Sequence, residues 1–396
     1  MVDYKKFQDQ IIARTKSFSK QRPLSQQVID AYYSIPRHKF IKRYRLWKSD
    51  QWIEITDQNL EEHLSHLYGD NPVIIFGTDE DFEAPEGKQI STLSQQSLVL
   101  VMIELLELEK GHKVFELGAA SGFNAALMGH IVGPAGKVVS VEIISELIQN
   151  ARDAVQQLGL TQVEIIKGDG GYGFEKEAPY DRAMFTAGAN DLPGPFYKQI
   201  KNGGRLLLVL KNRGGAATLI LFVKRKDHFE SVFSMLCDFV PVTGNFHVTG
   251  LGYKPLDQIL SENRIKSKPV DHVPFWWGGA NKDNFEWLAA GFRSFLSVSE
   301  PKFEAIQLDK ETNAFGILDV MSKSLVVAKP NELVSYGSTK SRDHLLKILT
   351  NWTAQGMPGL VSLKVKAYPI GRKIRAQKNQ WLVKRKESQF LWSMPK

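Results

Sequence analysis

The amino-acid sequence predicts a doubly wound α/β domain carrying a smaller α+β unit toward its C-terminal side. Three observations carry that prediction. From residue 92 to about residue 210, short apolar runs of strand length alternate with helical patterns, and such alternation with short links gives a parallel sheet covered on both faces. One apolar run, Val114-Phe-Glu116-Leu, opens into a loop holding Gly118 and Gly122, and a helical pattern starts directly after it. Beyond Gly244 the alternation stops and Gly, Pro and aromatic residues take over.

The elements follow in chain order. Pro23 and Ser25 offer helix-start signals, with Val28, Ile29, Ala31 and Tyr32 apolar at helical spacing behind them. Ile35-Pro-Arg-His-Lys-Phe40 leaves that helix, because the residue before a proline is driven out of helical dihedrals. Residues 44–88 are polar and acidic, with Gly-Asp-Asn-Pro at 69–72 and Pro-Glu-Gly at 85–87, and read as loops able to cover a site. Helices are expected over 94–108, 124–132, 145–158 and 192–200, and strands over 113–117, 137–142, 163–167, 182–186 and 205–210. Two more strands, 217–224 and 230–240, close this part; Gly214-Gly215 leaves no room for a crossover helix, so the last pairing is antiparallel. The first domain is therefore placed at 1–250, with a helical and loop segment at 1–90 and the sheet core at 91–244. The second occupies 251–396, with one clear helix over 343–352 closed by Gly356 and Pro358.

Composition narrows the class. The chain has 396 residues, 43% hydrophobic and 24% charged, which suits a globular protein of two or three domains. A lone cysteine, Cys237, excludes a disulfide scaffold, a thiolate zinc cage and a CxxC redox centre, and no metal is expected. The most apolar stretch, 97–108, carries Glu104 and Glu107, so neither a membrane span nor a membrane partner is expected. Met1-Val-Asp-Tyr-Lys-Lys lacks an apolar signal region, and a cytoplasmic protein is expected. The net charge of +8 is concentrated: residues 364–396 hold ten Lys and Arg against Glu387 alone, so this tail carries +9 and the remainder −1. Such charge could face an acidic peptide or nucleic acid. Leu363, Val365, Trp381, Val383, Phe390 and Trp392 interleave with it at strand-like spacing, which favours a solvated, basic-faced β element; no nucleic-acid partner is expected.

The chemistry concentrates in Glu116-Leu-Gly118-Ala119-Ala120-Ser121-Gly122-Phe-Asn124. Loop glycines let backbone approach a ligand, and a helix N-terminus offers free N–H groups. Ala120 breaks the dinucleotide fingerprint, and no Gly-Lys-Ser/Thr ending makes a phosphate loop. The second strand ends in Glu142, about 20 residues on, where a carboxylate can accept from both ribose hydroxyls. The third ends in Lys167-Gly-Asp169-Gly170, where Asp169 can accept from an exocyclic amine. Two acids and no basic phosphate clamp suit a nucleoside, and S-adenosylmethionine is such a ligand.

At this point the chain resembles the protein-L-isoaspartate O-methyltransferases. Gly168-Asp-Gly-Gly-Tyr-Gly-Phe-Glu-Lys-Glu-Ala-Pro-Tyr-Asp-Arg182 looks like that family's signature, and Ile35-Pro-Arg-His-Lys-Phe40, Thr92-Leu-Ser-Gln95, Thr186-Ala-Gly-Ala189 and Asp238-Phe-Val-Pro-Val242 are similar to its other conserved pieces. The resemblance covers residues 20–244. It implies a class I S-adenosylmethionine-dependent, Rossmann-like fold, and methyl transfer to a peptide or protein side-chain carboxylate, above all L-isoaspartyl residues in damaged proteins. S-adenosylhomocysteine would be the product, and no metal would be used. It further implies cofactor contacts from Glu116, Gly118, Ala119, Ala120, Ser121, Gly122, Asn124, Glu142, Asp169, Gly170 and Thr186. Ser94 would orient the substrate carboxylate and Thr92 would assist it; Ser94 is also expected to cap the helix beginning near Gln95. There are departures: Gln96 stands where a proline is usual, Ala119-Ala120 replaces Thr-Gly, Ala183 replaces an isoleucine, and residues 44–66 are inserted.

The extension, through Phe303 to Tyr336, Leu345, Trp352, Tyr368-Pro369 and Trp381, is similar to the C-terminal domain of isoaspartyl-methyltransferase-like enzymes of ribosomal-peptide clusters. A substrate-selecting or lid-like role is expected for 251–396. Two other functions stand beside repair: methylation of an aspartate in a dedicated ribosomal peptide during its maturation, and an inactive binding protein of the same fold. Ser94, Glu142 and Asp169 are all in place, which argues against the latter. Amino-group nucleic-acid methyltransferases would need Asn/Asp-Pro-Pro-aromatic after the fourth strand, where this chain reads Thr186-Ala-Gly-Ala-Asn-Asp.

Overall fold

A computed structural model describes residues 3–18, 23–47, 49–77, 90–247, 250–275 and 282–395. The expected Pro-Glu-Gly turn at 85–87 lies outside them. Internal contacts divide the chain into two units, one of residues 1–209, 220–233 and 239–247, the other of 210–219, 234–238 and 248–396. No helix among the described residues is long and apolar enough to cross a membrane.

In the first unit, α1 (Lys5–Phe18), α2 (Gln26–Ser34), β1 (Arg43–Tyr44), β2 (Ile53–Glu54), α3 (Leu60–Leu67), β3 (Val73–Phe76) and β4 (Ser91–Leu93) precede the core. The core runs α4 (Gln96–Leu106), β5 (Lys113–Leu117), α5 (Phe123–Val132), β6 (Lys137–Glu142), α6 (Ser145–Gln157), β7 (Val163–Lys167), β8 (Tyr180–Ala189), α7 (Phe196–Gln199), β9 (Ile200–Lys211), β10 (Ala217–Lys224) and β11 (Phe229–Leu236). The strands lie in the order β7-β6-β5-β8-β9-β10-β11. β5 pairs parallel with β6 and with β8, and β6 pairs parallel with β7. β4 continues into α4, whose residues other than Glu104 are all buried; a helix apolar on nearly all sides belongs inside a core.

Four expectations need correction. Residues 44–47 and 49–77 are not irregular: Tyr44, Leu60, Leu64, Leu67, Val73 and Ile75 form one apolar cluster with Leu93, Ile144 and Leu147. The helix expected over 192–200 is a single turn, Phe196–Gln199, because Pro193 and Pro195 bring fixed φ and no N–H just ahead of it. The last strand stops at Leu236 rather than 240; residues 240–242 instead bridge Gly188, whose N–H donates to Val240 and whose carbonyl accepts from Val242, each at 2.8 Å. Finally, α4 starts at Gln96 with Gln95 as its cap, so Ser94 is not the capping residue.

The second unit holds a six-stranded sheet, in the order β12 (Lys254–Pro255), β14 (Phe303–Gln307), β15 (Asn313–Asp319), β16 (Ser324–Ala328), β17 (Glu332–Tyr336) and β13 (Pro269–Pro274). Helices α8 (Leu256–Glu262), α9 (Lys282–Ser299) and α10 (Lys340–Ala354) accompany it. Trp352 of α10 is buried against Phe292 at 5.0 Å between rings, and its indole N–H donates to the Pro358 carbonyl at 2.9 Å. The basic tail forms β18 (Lys364–Pro369), β19 (Gln380–Lys384) and β20 (Ser388–Ser393), with β20 antiparallel to both others. Lys364 and Lys366 are exposed while Val365 and Ala367 are buried, so this element is the basic-faced β structure its spacing predicts.

Candidate active site

Chain order reverses at β5, which has β6 on one side and β8 on the other. A switch point of this kind opens a crevice at the carboxyl ends of the strands. A cavity of about 840 Å³, counting its open mouth, lies there. Its lining brings together Thr92 of β4 and Ser94 just after it, Gly118, Ala119, Ala120, Ser121 and Asn124 after β5, Glu142 at the end of β6, Asp169 and Gly170 after β7, and Thr186 of β8. Segments far apart in sequence thus meet at one place. Two expected residues, Glu116 and Gly122, are not in the lining.

The loop after β5 is shaped by its glycines. Gly118 has φ +90, and a Cβ there would sit 2.5 Å from Thr186 Oγ1. The Thr186 hydroxyl lies 2.7 Å from the Leu117 carbonyl and 2.6 Å from that of Gly118, fixing where the loop leaves the sheet. Ala120, standing where the resembled family has glycine, has φ 49, in the left-handed region, which costs an L-residue roughly 1–2 kcal/mol. Its N–H donates to Glu142 Oε2 at 2.7 Å, and the Ile144 N–H donates to Glu142 Oε1 at 2.8 Å. Burial raises the Glu142 pKa, and these N–H groups pull it back. The carboxylate is therefore oriented from both sides by backbone.

Asp169 accepts from the Gly171 N–H at 2.9 Å on Oδ1 and from the Asn245 N–H at 2.8 Å on Oδ2. It thereby ties the segment after Val242 to the cavity wall. Phe246 packs edge-on to Tyr172 at 5.0 Å, and a Cβ on Gly171 would strike its ring at 2.0 Å. Thr92 is fixed by pairing opposite Ile74 of β3. Ser94 follows two residues later, and its carbonyl accepts from Arg37 Nη2 at 3.0 Å. The cap that Ser94 was expected to supply comes from Asp70, which accepts from the Ser97 N–H at 2.9 Å and the Ser97 hydroxyl at 2.8 Å. Gln96, at the position of the usual proline, is bonded at both ends of its amide: its Oε1 accepts from Tyr32 Oη at 2.6 Å, and its Nε2 donates to the Gly69 carbonyl at 3.0 Å. Neither Arg37 nor Asp70 stands out in the sequence, although Arg37 lies within the Pro-Arg motif.

Glu116 is fully buried beneath the loop, where its Oε2 accepts from the Ser140 hydroxyl at 2.6 Å. Burial pushes its pKa up to about 8, while Ser140 and Asn124 act the other way. With the folded pKa raised above the ordinary 4.5, the stability this proton brings is complete below about pH 4.5 and is lost as pH rises through about 8. Glu116→Gln should remove that loss. Melting temperatures measured from about pH 5 to about pH 9 should fall more steeply for the parent than for the variant; parallel profiles would show that Glu116 does not hold the proton.

Comparison with known proteins agrees with this architecture. A family profile for protein-L-isoaspartate(D-aspartate) O-methyltransferases matches residues 11–247. Protein-L-isoaspartate O-methyltransferase 2 of Archaeoglobus fulgidus is 32% identical over 259 residues, which is 64% of this chain and 100% of that protein. The protein-L-isoaspartate O-methyltransferase of Methanococcus maripaludis is 35% identical over 221 residues, 55% of this chain and 88% of its own. A solved structure of a protein-L-isoaspartate O-methyltransferase aligns with 91% of this chain and 96% of its own, with a TM-score of 0.52 at 22% identity, a likeness of fold. With its sheet order, its glycine loop and this match across residues 11–247, the chain belongs to the protein-L-isoaspartate(D-aspartate) O-methyltransferase family, with the class I S-adenosylmethionine-dependent methyltransferase fold.

Proposed function

We infer that the protein methylates the free carboxylate of L-isoaspartyl residues in proteins, using S-adenosylmethionine. The observation that carries this reading is the meeting of the Ser94 turn with the glycine loop and Glu142 in one cavity, in a chain whose relatives are isoaspartyl methyltransferases. Those relatives favour repair over a dedicated ribosomal peptide or an inactive binding protein.

The lining fits a nucleoside cofactor. Glu142 and Asp169 are its acids, and among the described residues Arg37 is the one cation of the lining, a balance that suits a nucleoside better than a phosphorylated ligand. When bound, S-adenosylmethionine supplies an electrophilic methyl on a sulfonium: the S–C bond breaks as the carboxylate O–C bond forms, leaving a neutral thioether. On this reading Gly118, Ala119, Ala120, Ser121, Asn124 and Gly170 form the cradle, Glu142 accepts from the ribose, Asp169 lies toward the adenine, and Thr186 holds the loop. Glu116 acts from below, through Asn124. Ser94 donates to the substrate carboxylate, with Thr92 beside it. A carboxylate is ionised at neutral pH, with reference values near 4, so the site needs no strong general base. Its task is alignment, from which much of the barrier reduction can come.

A labelled-methyl assay on an isoaspartyl peptide and its normal aspartyl twin tests the reading: label should enter the first and not the second, and equal or absent labelling would overturn it. Glu142→Ala should weaken S-adenosylhomocysteine binding by about 1–3 kcal/mol, because ribose hydroxyls lose their partners in a desolvated site. Unchanged affinity by calorimetry would remove Glu142 from the cofactor contacts.

A further inference from the structure

Arg37 opens a short 3₁₀ turn, Arg37–Phe40, and is only 1% exposed. Nη2 donates to the Ser94 carbonyl at 3.0 Å, whereas Nε and Nη1 have no partner among the described residues. The guanidinium lies 5.3 Å from the ring centroid of Phe123, the first residue of α5. Arg37, Phe123 and Ser94 line the same cavity.

Among the described residues nothing neutralises this cation. Tyr32 and Tyr68 are phenols, and Asp70 is the one carboxylate whose charge reaches it. Asp70 is already bonded to Arg14, Gln95 and Ser97. Burial pulls the Arg37 pKa down to about 10, which still leaves it charged at neutral pH. A buried charge without a partner opposes folding, and a planar guanidinium with free N–H groups is matched in shape and charge to a carboxylate.

We propose that Arg37 is the carboxylate-binding residue of the cavity, taking a ligand carboxylate on its free N–H groups beside Ser94. This rests on the reading of the cavity as the site of methyl transfer. Two ligands bring that chemistry there: the cofactor, through its methionyl end, and the isoaspartyl residue itself.

Calorimetry on the full chain and its Arg37→Met variant separates them. S-adenosylhomocysteine has the methionyl carboxylate; 5′-methylthioadenosine is the same nucleoside without it. If the cofactor carboxylate is the partner, Arg37→Met weakens S-adenosylhomocysteine roughly ten- to hundred-fold and leaves methylthioadenosine unchanged. If the peptide carboxylate is the partner, both nucleosides bind as before, and an isoaspartyl peptide titrated into protein saturated with S-adenosylhomocysteine loses that factor. Arg37→Lys, which keeps the charge but not the fork, should recover part of the lost affinity in either case. Without ligand, Arg37→Met should melt no lower than the parent, since a packed methionine replaces an unpaired charge. A methionine variant that fails to fold, or that binds all three ligands as the parent does, overturns the proposal. A parent protein that binds neither nucleoside overturns the functional reading instead.

Discussion

Ser94→Ala should lower methyl transfer to an isoaspartyl peptide by roughly 10²-fold, the loss that misplacing a reacting group by about 1 Å can bring. Its melting temperature and its affinity for S-adenosylhomocysteine should stay close to the parent's. The structure makes the separation clean. Ser94 lines the cavity, yet it does not cap α4, because Gln95 occupies the cap position and Asp70 receives the Ser97 N–H. Ser94 is held through its backbone instead, where Arg37 donates to its carbonyl. Alanine keeps that carbonyl and removes only the hydroxyl. Initial rates with labelled methyl donor, calorimetry and a thermal melt on the same preparation measure all three quantities. Unchanged turnover with a lowered melting temperature would make Ser94 a structural residue.

The part of the fold that was legible is the part whose side chains report burial directly. β5, β6 and β7 are short apolar runs in a buried parallel sheet, and their predicted bounds agree with the observed ones. That Glu142, Asp169 and Gly170 would meet at the carboxyl edge of the sheet was legible for the same reason, because a strand's end fixes where its next polar residue can face. The helix Lys5–Phe18 was not legible, because its buried face mixes Ile11 and Ile12 with Gln8 and Thr15. Gln8 is tolerated there because its amide donates to the Tyr32 carbonyl at 2.6 Å, and Thr15 because its hydroxyl donates to the Ile11 carbonyl at 2.7 Å. No periodicity in hydrophobicity records such tertiary partners. The same holds for Gln96 in the core and for Arg37, which lines a cavity assembled from segments distant in sequence. The error at Ser94 has this origin too: a serine just before a helix is a sound local signal for a cap, and it lost to Asp70, an acid 27 residues before the Ser97 whose N–H it accepts.

That acid carries the largest stability effect we expect. Asp70→Ala should destabilise the first unit by about 3–5 kcal/mol, within the sum for losing two buried hydrogen bonds to a charged group. The Asp70 side chain is 4% exposed and accepts from the Arg14 Nε at 2.8 Å. It also accepts from the Ser97 N–H, the Ser97 hydroxyl and Gln95 Nε2, at 2.9, 2.8 and 3.1 Å. The Arg14 side chain is 66% exposed, so its charge is screened and returns to water when the partner is lost; little of the effect lies there. Most lies at the start of α4, where Ser97 is 1% exposed and would keep an N–H and a hydroxyl without an acceptor. Hydrogen bonds to a charged group contribute about 1.5–3 kcal/mol each, and loss of a helix cap alone costs about 0.5–2 kcal/mol. Asp70→Asn should fall between parent and alanine, since its amide oxygen can still accept from one of these donors. Denaturant unfolding gives the magnitudes. The substrate side should suffer as well, because Ser94 enters α4 through the turn that Asp70 holds: at temperatures where Asp70→Asn stays folded, KM for an isoaspartyl peptide should rise while S-adenosylhomocysteine affinity changes little. A loss below about 1 kcal/mol for the alanine variant, the level of an exposed ion pair, would mean that α4 is held by its apolar burial alone and that Asp70 is incidental to the site.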